Sequence, residues 1–367
     1  MKRVWICAAC ALLCLSLFGC VGQTAIPQPE QAPVVNADEG AVYQRYQRMV
    51  FDLFDTLIIV MGYAQSHEEF ERWGDLIETE LRRLHILFDI YNDYDGVNNL
   101  KTVNDRAGSE PVEVDTAIIE LLTFAQQAYR ESGGVVNVAL GSVLRIWSVY
   151  RQAGIAFPET AVLPSIESLQ AAMAHTNIED VVIDRENATV FLWDSEMSLD
   201  VGALAKGFAI QRAMELARAE GFFAGLINAG GDISMIGAPL SSGRDYWAVG
   251  VRDPATFELD SMYDVLHLSG ETSVATSGNY QRFYMVDGVS YSHIIDPDTL
   301  MPADRHAGVT VIHPDAGLAE MLSTAIFILP QEEGARLLAN FGGEGIWIFS
   351  DGSAVFTDGY IAISRDL

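Results

Sequence analysis

Apolar and polar residues alternate along this chain with two different periods. The stretch MVFDLFDTLIIVMGYA, residues 49–64, is rich in β-branched and aromatic residues and predicts a strand. Ser66 and Glu69 then form a capping-box pattern. Apolar residues recur at helical spacing after it, namely Phe70, Trp73, Ile77, Leu81, Leu84 and Phe88. Because residues at this spacing share one face, we expect an amphipathic helix with that face in the core.

The same patterns predict further elements. A second helix is expected over 114–130, and its inward-facing residues are Ile118, Leu121, Leu122, Ala125 and Tyr129. Two β-rich runs within 180–193 flank a polar turn at 185–187 and predict a hairpin. A helix over Ala205–Ala219 stops before Gly221 and precedes a buried strand, FFAGLIN. These elements lack the regular βαβ spacing of a doubly wound sheet, so the expected fold class is α+β.

The first 40 residues have a different character. A basic start precedes an apolar run over 4–18, which suits a signal peptide and is short for a hydrocarbon core of ~30 Å. The sequence LFGC, ending at Cys20, resembles a bacterial lipobox. We therefore expect a lipoprotein signal peptide over 1–20, a flexible tether rich in Pro and Gln over 21–40, and a folded domain over 41–367.

All four cysteines, Cys7, Cys10, Cys14 and Cys20, belong to this leader. The expected domain therefore has no thiol for a disulfide, a zinc site or a nucleophile. Cleavage before Cys20 and lipidation of its thiol would anchor the domain to a bacterial cell membrane on the extracytoplasmic side.

The composition indicates an acidic globular protein. Half of the residues, 50%, are hydrophobic and 20% are charged, as in a chain with a substantial core. Lys and Arg number 22 against 50 Asp and Glu, and the net charge of -28 repels a phosphate backbone, which argues against nucleic acid as a partner. An anionic ligand would need a local source of positive charge, such as a metal ion, a lysine or helix N-termini.

Short polar stretches carry the candidate chemistry. SLDVGALAKGFAIQ, residues 198–211, places Asp200 and Lys206 around small residues at a predicted helix start, where free N–H groups favour an anion. The small residues could equally pack a helix against a sheet. LINAGGDISMIG follows with a Gly-Gly turn, and TSGNYQRF and YSHIIDPDTLMP add polar side chains in turns. These side chains are Ser277, Arg282, His293 and Asp296.

In DAGLAEMLSTAIFILP, residues 315–330, Glu320 and Thr324 are four positions apart on a predicted helix and share a face. The carboxylate and the hydroxyl could form a hydrogen bond within the core. They could also be two oxygen ligands of Mg²⁺, which binds few carboxylates together with water and substrate phosphates.

Taken together and in this order, the motifs SLDVGALAKGFA, LINAGGDISMIG, VATSGNYQRF, HIIDPDTLMPA and LAEMLSTAIFIL resemble the ApbE family of FAD:protein FMN transferases. FDLFDT, YNDYDGVNNLKTVN and GGVVNVALGSVLRIW resemble its flavin-side motifs, so the likeness covers about residues 45–330. It implies a single domain of the T-fold-related ApbE type, with mixed and antiparallel sheets and packed helices. It also implies Mg²⁺-dependent transfer of FMN from FAD to a Ser or Thr hydroxyl of an extracytoplasmic or membrane electron-transfer protein, with release of AMP.

The resemblance also assigns roles to residues. The metal ligands would be the Ala203 carbonyl, the Glu320 carboxylate and the Thr324 hydroxyl. The FAD contacts would be Phe54, Tyr91, Val135, Val136, Asn137, Asp200, Lys206 and Ile294. Catalysis would involve His293 as the base on the incoming hydroxyl, together with Asp200 and Lys206. Alternatively, His293 orients the turn at Asp296.

The chain departs from the family pattern at three places. Glu320 stands where the family usually has Asp, Asn137 stands where it usually has Asp, and the sequence FDT at 54–56 replaces Met-Gly-Thr. Two other functions stay open. One is an FAD pyrophosphatase that gives FMN and AMP, and the other is a lipoprotein that binds FAD without turnover.

Overall fold

The computed structural model describes residues 34–35, 42–241, 244–256 and 261–365. Within these ranges the α-helices are α1 His67–Phe88, α2 Leu100–Asp105, α3 Thr116–Glu131, α4 Gly141–Ala156, α5 Ile166–Met173, α6 Ala205–Ala219, α7 Ala316–Ile328, α8 Gln331–Phe341 and α9 Asp358–Ile363. The strands are β1 Val34–Val35, β2 Val42–Leu53, β3 Thr56–Ala64, β4 Val112–Glu113, β5 Val181–Asp184, β6 Thr189–Leu192, β7 Gly225–Ala229, β8 Asp232–Ile236, β9 Trp247–Arg252, β10 Met262–Leu268, β11 Thr272–Gly278, β12 Phe283–Val286, β13 Val289–Ser292, β14 Gly308–His313, β15 Glu344–Ile348 and β16 Ala354–Phe356.

The expected signal peptide over 1–20, Cys20 and most of the tether over 21–40 lie outside the described residues. From the tether, the structure describes β1, which pairs antiparallel with β2. In the part of the chain that is described, no helix is long and apolar enough to cross a membrane.

A large antiparallel sheet forms the centre of the domain. Its strand order in the described part of the chain is β1-β2-β3-β7-β8-β11-β14-β15-β16, and each neighbouring pair is antiparallel. Smaller sheets are formed by β9 with β10, by β12 with β13, and by β4, β5 and β6. Helices and antiparallel strands thus share one fold, which confirms the predicted α+β class.

Both faces of the sheet are covered by apolar side chains. Alternate residues of a strand point to opposite faces. Val60 of β3 belongs to the apolar core that includes residues of the helices α1, α6 and α7. Tyr63, three positions along, packs with the β9–β10 hairpin and Tyr360 of α9. All residues of β14 are buried, as expected for a strand with both faces in a core.

The predicted strand over 49–64 is wrong in one respect, because it is two strands joined by a tight turn. β2 ends at Leu53, which pairs with Thr56 of β3. Phe54 and Asp55 between them have φ of 52° and 54°, and positive φ at both central residues is what a tight hairpin turn requires. The sequence gives no Asn-Gly or Asp-Gly signal here, since Phe54 seldom adopts this conformation.

The predicted helices are confirmed with their ends close to the expected positions. α1 begins after Ser66, whose Oγ accepts a hydrogen bond from the Glu69 N–H at 3.1 Å. α3 begins after Asp115, and α6 ends just before Gly221, which has a φ of 92°. The predicted hairpin over 180–193 is β5 and β6.

A separate apolar cluster joins α4 to the β12–β13 hairpin. Trp147 of α4 and Tyr284 of β12 are both buried in it. The indole N–H of Trp147 donates a hydrogen bond to the Leu300 carbonyl at 2.9 Å. Gly154 permits close contact with Tyr284, since a Cβ at this position would lie 2.4 Å from the Tyr284 ring. This packing brings α4 and the segment before β12 to the same pocket.

Candidate functional site

A deep pocket lies where the large sheet, α4 and α7 meet. Its volume is about 1030 Å³, at the upper end of the usual range for ligand pockets. Its walls come from the tip of the β2–β3 hairpin, the residues after α1, α4, the start of α6, the β7–β8 turn, β11 and α7. Segments far apart in sequence therefore converge on one concave surface.

The structure brings together every residue that the sequence assigned to the site. The pocket is lined by Phe54, Tyr91, Val135, Val136, Asn137, Asp200, Ala203, Lys206, His293, Ile294, Glu320 and Thr324. Ser277 and Arg282 also line it, whereas Asp296 does not. The motifs are thus parts of one site.

One part of the pocket, which we call the acidic cluster, consists of Lys206, Asp232 and Glu320. The Lys206 ammonium contacts the Asp232 carboxylate and lies 3.0 Å from Glu320 Oε1. Both carboxylates are buried. Glu320 Oε2 accepts a hydrogen bond from the Gly207 N–H at 2.7 Å. Two buried carboxylates therefore share one ammonium, which leaves an excess of negative charge.

This arrangement corrects the expectation that the start of α6 offers free N–H groups to an anion. The Ala205 N–H donates to the Val201 carbonyl at 2.9 Å, and the Gly207 N–H donates to Glu320. The Gly202 N–H donates to Asp200 Oδ1 at 2.9 Å. Because these donors are occupied and Lys206 is paired, they are not available to a phosphate, and the buried Asp232 and Glu320 carboxylates favour a cation at this place.

A close crossing of α6 and α7 positions Glu320. A Cβ on Gly207 would lie 2.4 Å from the Ala316 carbonyl oxygen and 2.8 Å from Glu320 Cβ. Only a residue without a side chain lets the helices approach this closely. The crossing directs the Glu320 carboxylate back to the backbone of α6.

The donors near Glu320 are hard oxygens. Thr324 lies one turn further along α7 and also lines the pocket, and the Ala203 backbone lies at its α6 side. Glu320 bonds to Gly207 and Lys206, so the alternative of a core hydrogen bond to Thr324 is wrong. Within the described residues no group of three or more His, Cys, Asp or Glu side chains could hold a metal. A cation here would need the hydroxyl and the carbonyl as well, and such oxygen donors fit Mg²⁺.

A second part of the pocket, the basic cluster, consists of Arg151, Arg282 and His293. Arg151 comes from α4, and Arg282 directly precedes β12. Burial lowers the pKa of Arg151, and the neighbouring Arg282 lowers it further. Two positive charges are thus held near each other in the lining of the pocket.

His293 is neutral at physiological pH because of its surroundings. Burial lowers the pKa of His293 to about 4, and the charges of Arg282 and Arg151 act in the same direction. Its Nδ1 is buried and has no hydrogen-bond partner among the described residues. A neutral imidazole with an unused nitrogen can accept a proton.

The alternative role for His293 is to orient the turn at Asp296, but other groups hold this turn in the structure. Asp296 Oδ1 accepts a hydrogen bond from the Asp298 N–H at 2.9 Å. Arg305 Nη1 lies 3.0 Å from Asp296 Oδ2. The turn is therefore stabilised by its own side chain and by Arg305.

Asp200 lines the same pocket and interacts with both arginines of the basic cluster. Burial raises the pKa of its carboxyl, while the Gly202 N–H, Arg151 and Arg282 oppose that shift. Asn137 is tied to the backbone, since its amide donates to the Thr176 carbonyl at 3.0 Å and accepts from the Ala139 N–H at 2.9 Å. It therefore shapes the loop before α4.

Comparison with known proteins decides the family. The ApbE family model matches residues 42–347. The chain belongs to the ApbE family. The resemblance of its motifs is thereby confirmed over most of its length.

ApbE relatives resemble the chain in sequence and in structure. The FAD:protein FMN transferase of Treponema pallidum (strain Nichols) is 34% identical over 266 residues, which cover 69% of this chain and 71% of that protein. The FAD:protein FMN transferase of Klebsiella pneumoniae (strain 342) is 30% identical over 261 residues, or 70% of this chain and 77% of that protein. The crystal structure of the ApbE protein of Thermotoga maritima has a TM-score of 0.76 at 28% identity, covering 88% of this chain and 100% of that one.

Within this ApbE pocket, sequence reasoning missed Arg151 and the partners of Lys206. Arg151 follows Trp147 by four positions on α4, so the two share a face, and this spacing was the available signal. Asp232 stood in the AGGD motif without an assigned role. Arg151 and Asp232 matter because they determine where positive and negative charge lie in the pocket.

Proposed function

We propose that this protein transfers the FMN half of FAD to a Ser or Thr hydroxyl of an acceptor protein. The observation that carries the proposal is the convergence of the ApbE motifs on one pocket that holds a neutral histidine. ApbE relatives at 34% and 30% identity are named FAD:protein FMN transferases.

The reaction is a phosphoryl transfer. The acceptor hydroxyl oxygen attacks the phosphorus of the FMN half, and the bond from that phosphorus to the bridging oxygen breaks. AMP leaves with the bridging oxygen, and the hydroxyl proton passes to His293. Such transfers depend on placing the two oxygens in line and on balancing the charge of the phosphoryl oxygens.

His293 is the group that we assign as the base. Its low pKa keeps the imidazole neutral over the neutral range, and its unpartnered Nδ1 is the nitrogen that can take the proton as the hydroxyl attacks. Asp200, Phe54, Tyr91, Val135, Val136, Asn137 and Ile294 would then surround the flavin nucleotide.

We propose Glu320, Thr324 and the Ala203 carbonyl as the residues that hold Mg²⁺. When bound, Mg²⁺ would balance the charge of the diphosphate. The excess negative charge of the acidic cluster supports a cation at this place. Glu320 is held by the Gly207 N–H, so its carboxylate is already oriented.

The test is to incubate the full chain, purified in detergent, with FAD, Mg²⁺ and an acceptor domain that carries an exposed Thr. The expected result is AMP release together with the mass of FMN on the acceptor. AMP release that does not depend on the acceptor would make the protein an FAD pyrophosphatase. FAD binding without AMP release would make it a storage protein and would refute both enzymatic functions.

We also propose that the protein is anchored to a bacterial membrane by lipid on Cys20, on the extracytoplasmic side. The support is the LFGC sequence after an apolar run and the Pro- and Gln-rich segment that follows. Mass spectrometry of the mature protein should find a lipid-modified Cys20 at its N-terminus. A Cys20→Ala variant that still partitions with membranes would contradict this anchor.

A further inference from the structure

Two arginines line the pocket without a close carboxylate partner. In the described part of the chain, the guanidinium of Arg151 forms a hydrogen bond only with the Ser148 hydroxyl, at 3.5 Å. Arg282 has Asp55 at 3.9 Å, beyond hydrogen-bond distance, and both of those side chains are more than half exposed. Neither arginine therefore has a close carboxylate partner.

Several arginines elsewhere in the protein form ion pairs with carboxylates. Arg48 contacts Glu71, Asp75 and Glu78. Arg83 contacts Glu80 and Asp115. In a chain with 50 acidic and 22 basic residues, partners are plentiful. Arg151 and Arg282 differ from these in lining one pocket together without a close carboxylate, which leaves room for an anion from outside.

The rest of the described pocket lining has no other lysine or arginine that lacks a close carboxylate. The described lining contains one lysine, Lys206, which is already shared by two carboxylates. Asp200 is the carboxylate that acts on both arginines, and burial raises the pKa of its carboxyl. Arg151 and Arg282 are thus the two arginines of the described lining, and neither has a carboxylate within hydrogen-bond distance.

We propose that Arg151 and Arg282 form an anion-binding subsite that holds the diphosphate of FAD without a divalent cation. This inference rests on the proposed function and specifies which residues bind the substrate. Guanidinium groups suit the ligand because each can donate two parallel hydrogen bonds to phosphate oxygens. A bound anion would also relieve the repulsion between the two arginines.

The position of the pair agrees with the chemistry of transfer. Both arginines are near enough to His293 for their charges to act on its imidazole. A base that takes the proton of the attacking hydroxyl must lie beside the phosphorus under attack. Arginines beside His293 therefore face the transferring phosphoryl group, where they can balance its charge.

The experiment measures FAD binding in EDTA by quenching of flavin fluorescence, so no divalent cation contributes. The variants are Arg151→Gln, Arg282→Gln and the double variant. Arg145→Gln is the matched control, because Arg145 lies on the same helix, is exposed and does not line the pocket. Riboflavin, which has no phosphate, is the second ligand.

We expect each single variant to weaken FAD binding about tenfold and the double variant to weaken it further. Riboflavin affinity should change less than about twofold, and the Arg145→Gln protein should bind both ligands as the wild type does. Raising the salt concentration should weaken FAD binding to the wild type more than to the double variant.

Three results would overturn the inference while leaving the proposed function intact. They are FAD binding only with Mg²⁺, equal losses for riboflavin and FAD, and FAD affinity unchanged in the double variant. If FAD affinity is unchanged but more acceptor is needed for half-maximal transfer, the pair binds a carboxylate of the acceptor instead. A wild type that binds no FAD with or without Mg²⁺ would refute the proposed function itself.

Discussion

The acidic cluster and the basic cluster line the same pocket and are built in opposite ways. In the acidic cluster, Lys206 is paired with buried Asp232 and Glu320, and the Gly207 backbone fixes Glu320. In the basic cluster, Arg151 and Arg282 lack close carboxylates. The acidic cluster has an excess of negative charge, and the basic cluster has an excess of positive charge.

This difference shows how an acidic protein can bind an anionic nucleotide. A net charge of -28 repels FAD at long range. The pocket separates its charges, so that a cation is favoured at Glu320 and phosphate oxygens at the arginines. A metal and a diphosphate would then neutralise both parts.

The largest effect should come from removing the carboxylate of the acidic cluster. Glu320→Ala should reduce AMP release about a thousandfold, since the only charged ligand that we assign to Mg²⁺ is lost. Glu320→Asp should keep or raise activity. The measurement is AMP release against Mg²⁺ concentration, with Glu332→Ala on the exposed face of α8 as the control. Unchanged Mg²⁺ dependence in the alanine variant would refute the assignment.

The next effect should come from the histidine of the basic cluster. His293→Ala should slow FMN transfer about a hundredfold, because the attacking hydroxyl loses its base. FAD affinity should change less than about threefold. Single-turnover rates and fluorescence titrations separate the two, and exposed His67→Ala serves as the control. Equal losses of rate and affinity would instead make His293 a structural residue.

The pH dependence of kcat should report the charge around His293. The rate needs the neutral imidazole, so it is lost as the pH falls through the pKa of His293, which is about 4 in place of the ordinary 6.5. In Arg151→Gln, loss of a nearby positive charge should raise that pKa and move the acid limb to higher pH. An acid limb at the same pH in both proteins would show that another group controls it.

The smallest effect should follow from reducing the negative charge of the acidic cluster. Asp232→Asn keeps the shape of the side chain and removes one charge, so FAD in EDTA should bind about threefold more tightly. Fluorescence titration measures this change. Weaker FAD binding would mean that Asp232 supports the ligand through Lys206.

The sequence predicted the helices that have a regular apolar period. It did not predict the break between β2 and β3, which depends on a turn with positive φ. α1 followed from the apolar spacing of Phe70 to Phe88 and from the cap at Ser66. The break between β2 and β3 did not, because Phe54 and Asp55 take positive φ without the residues that usually mark such turns.

For the site, the motifs predicted which residues share the pocket, and only the structure showed their charge partners. Lys206 meets Glu320 because α6 and α7 cross closely, which no local pattern encodes. Arg151 reaches the pocket because Trp147 and Tyr284 pack α4 beside β12. Contacts of this kind join residues more than a hundred positions apart, beyond the reach of periodicity.

The crossing at Gly207 has a consequence for tuning the protein. A Gly207→Ala methyl group would press on the Ala316 carbonyl and on Glu320 Cβ, at 2.4 and 2.8 Å. It would displace the Glu320 carboxylate although Gly207 itself does not line the pocket. A single methyl group in the packing between two helices would therefore change the affinity of the proposed metal site, although the substituted residue is not one of its ligands.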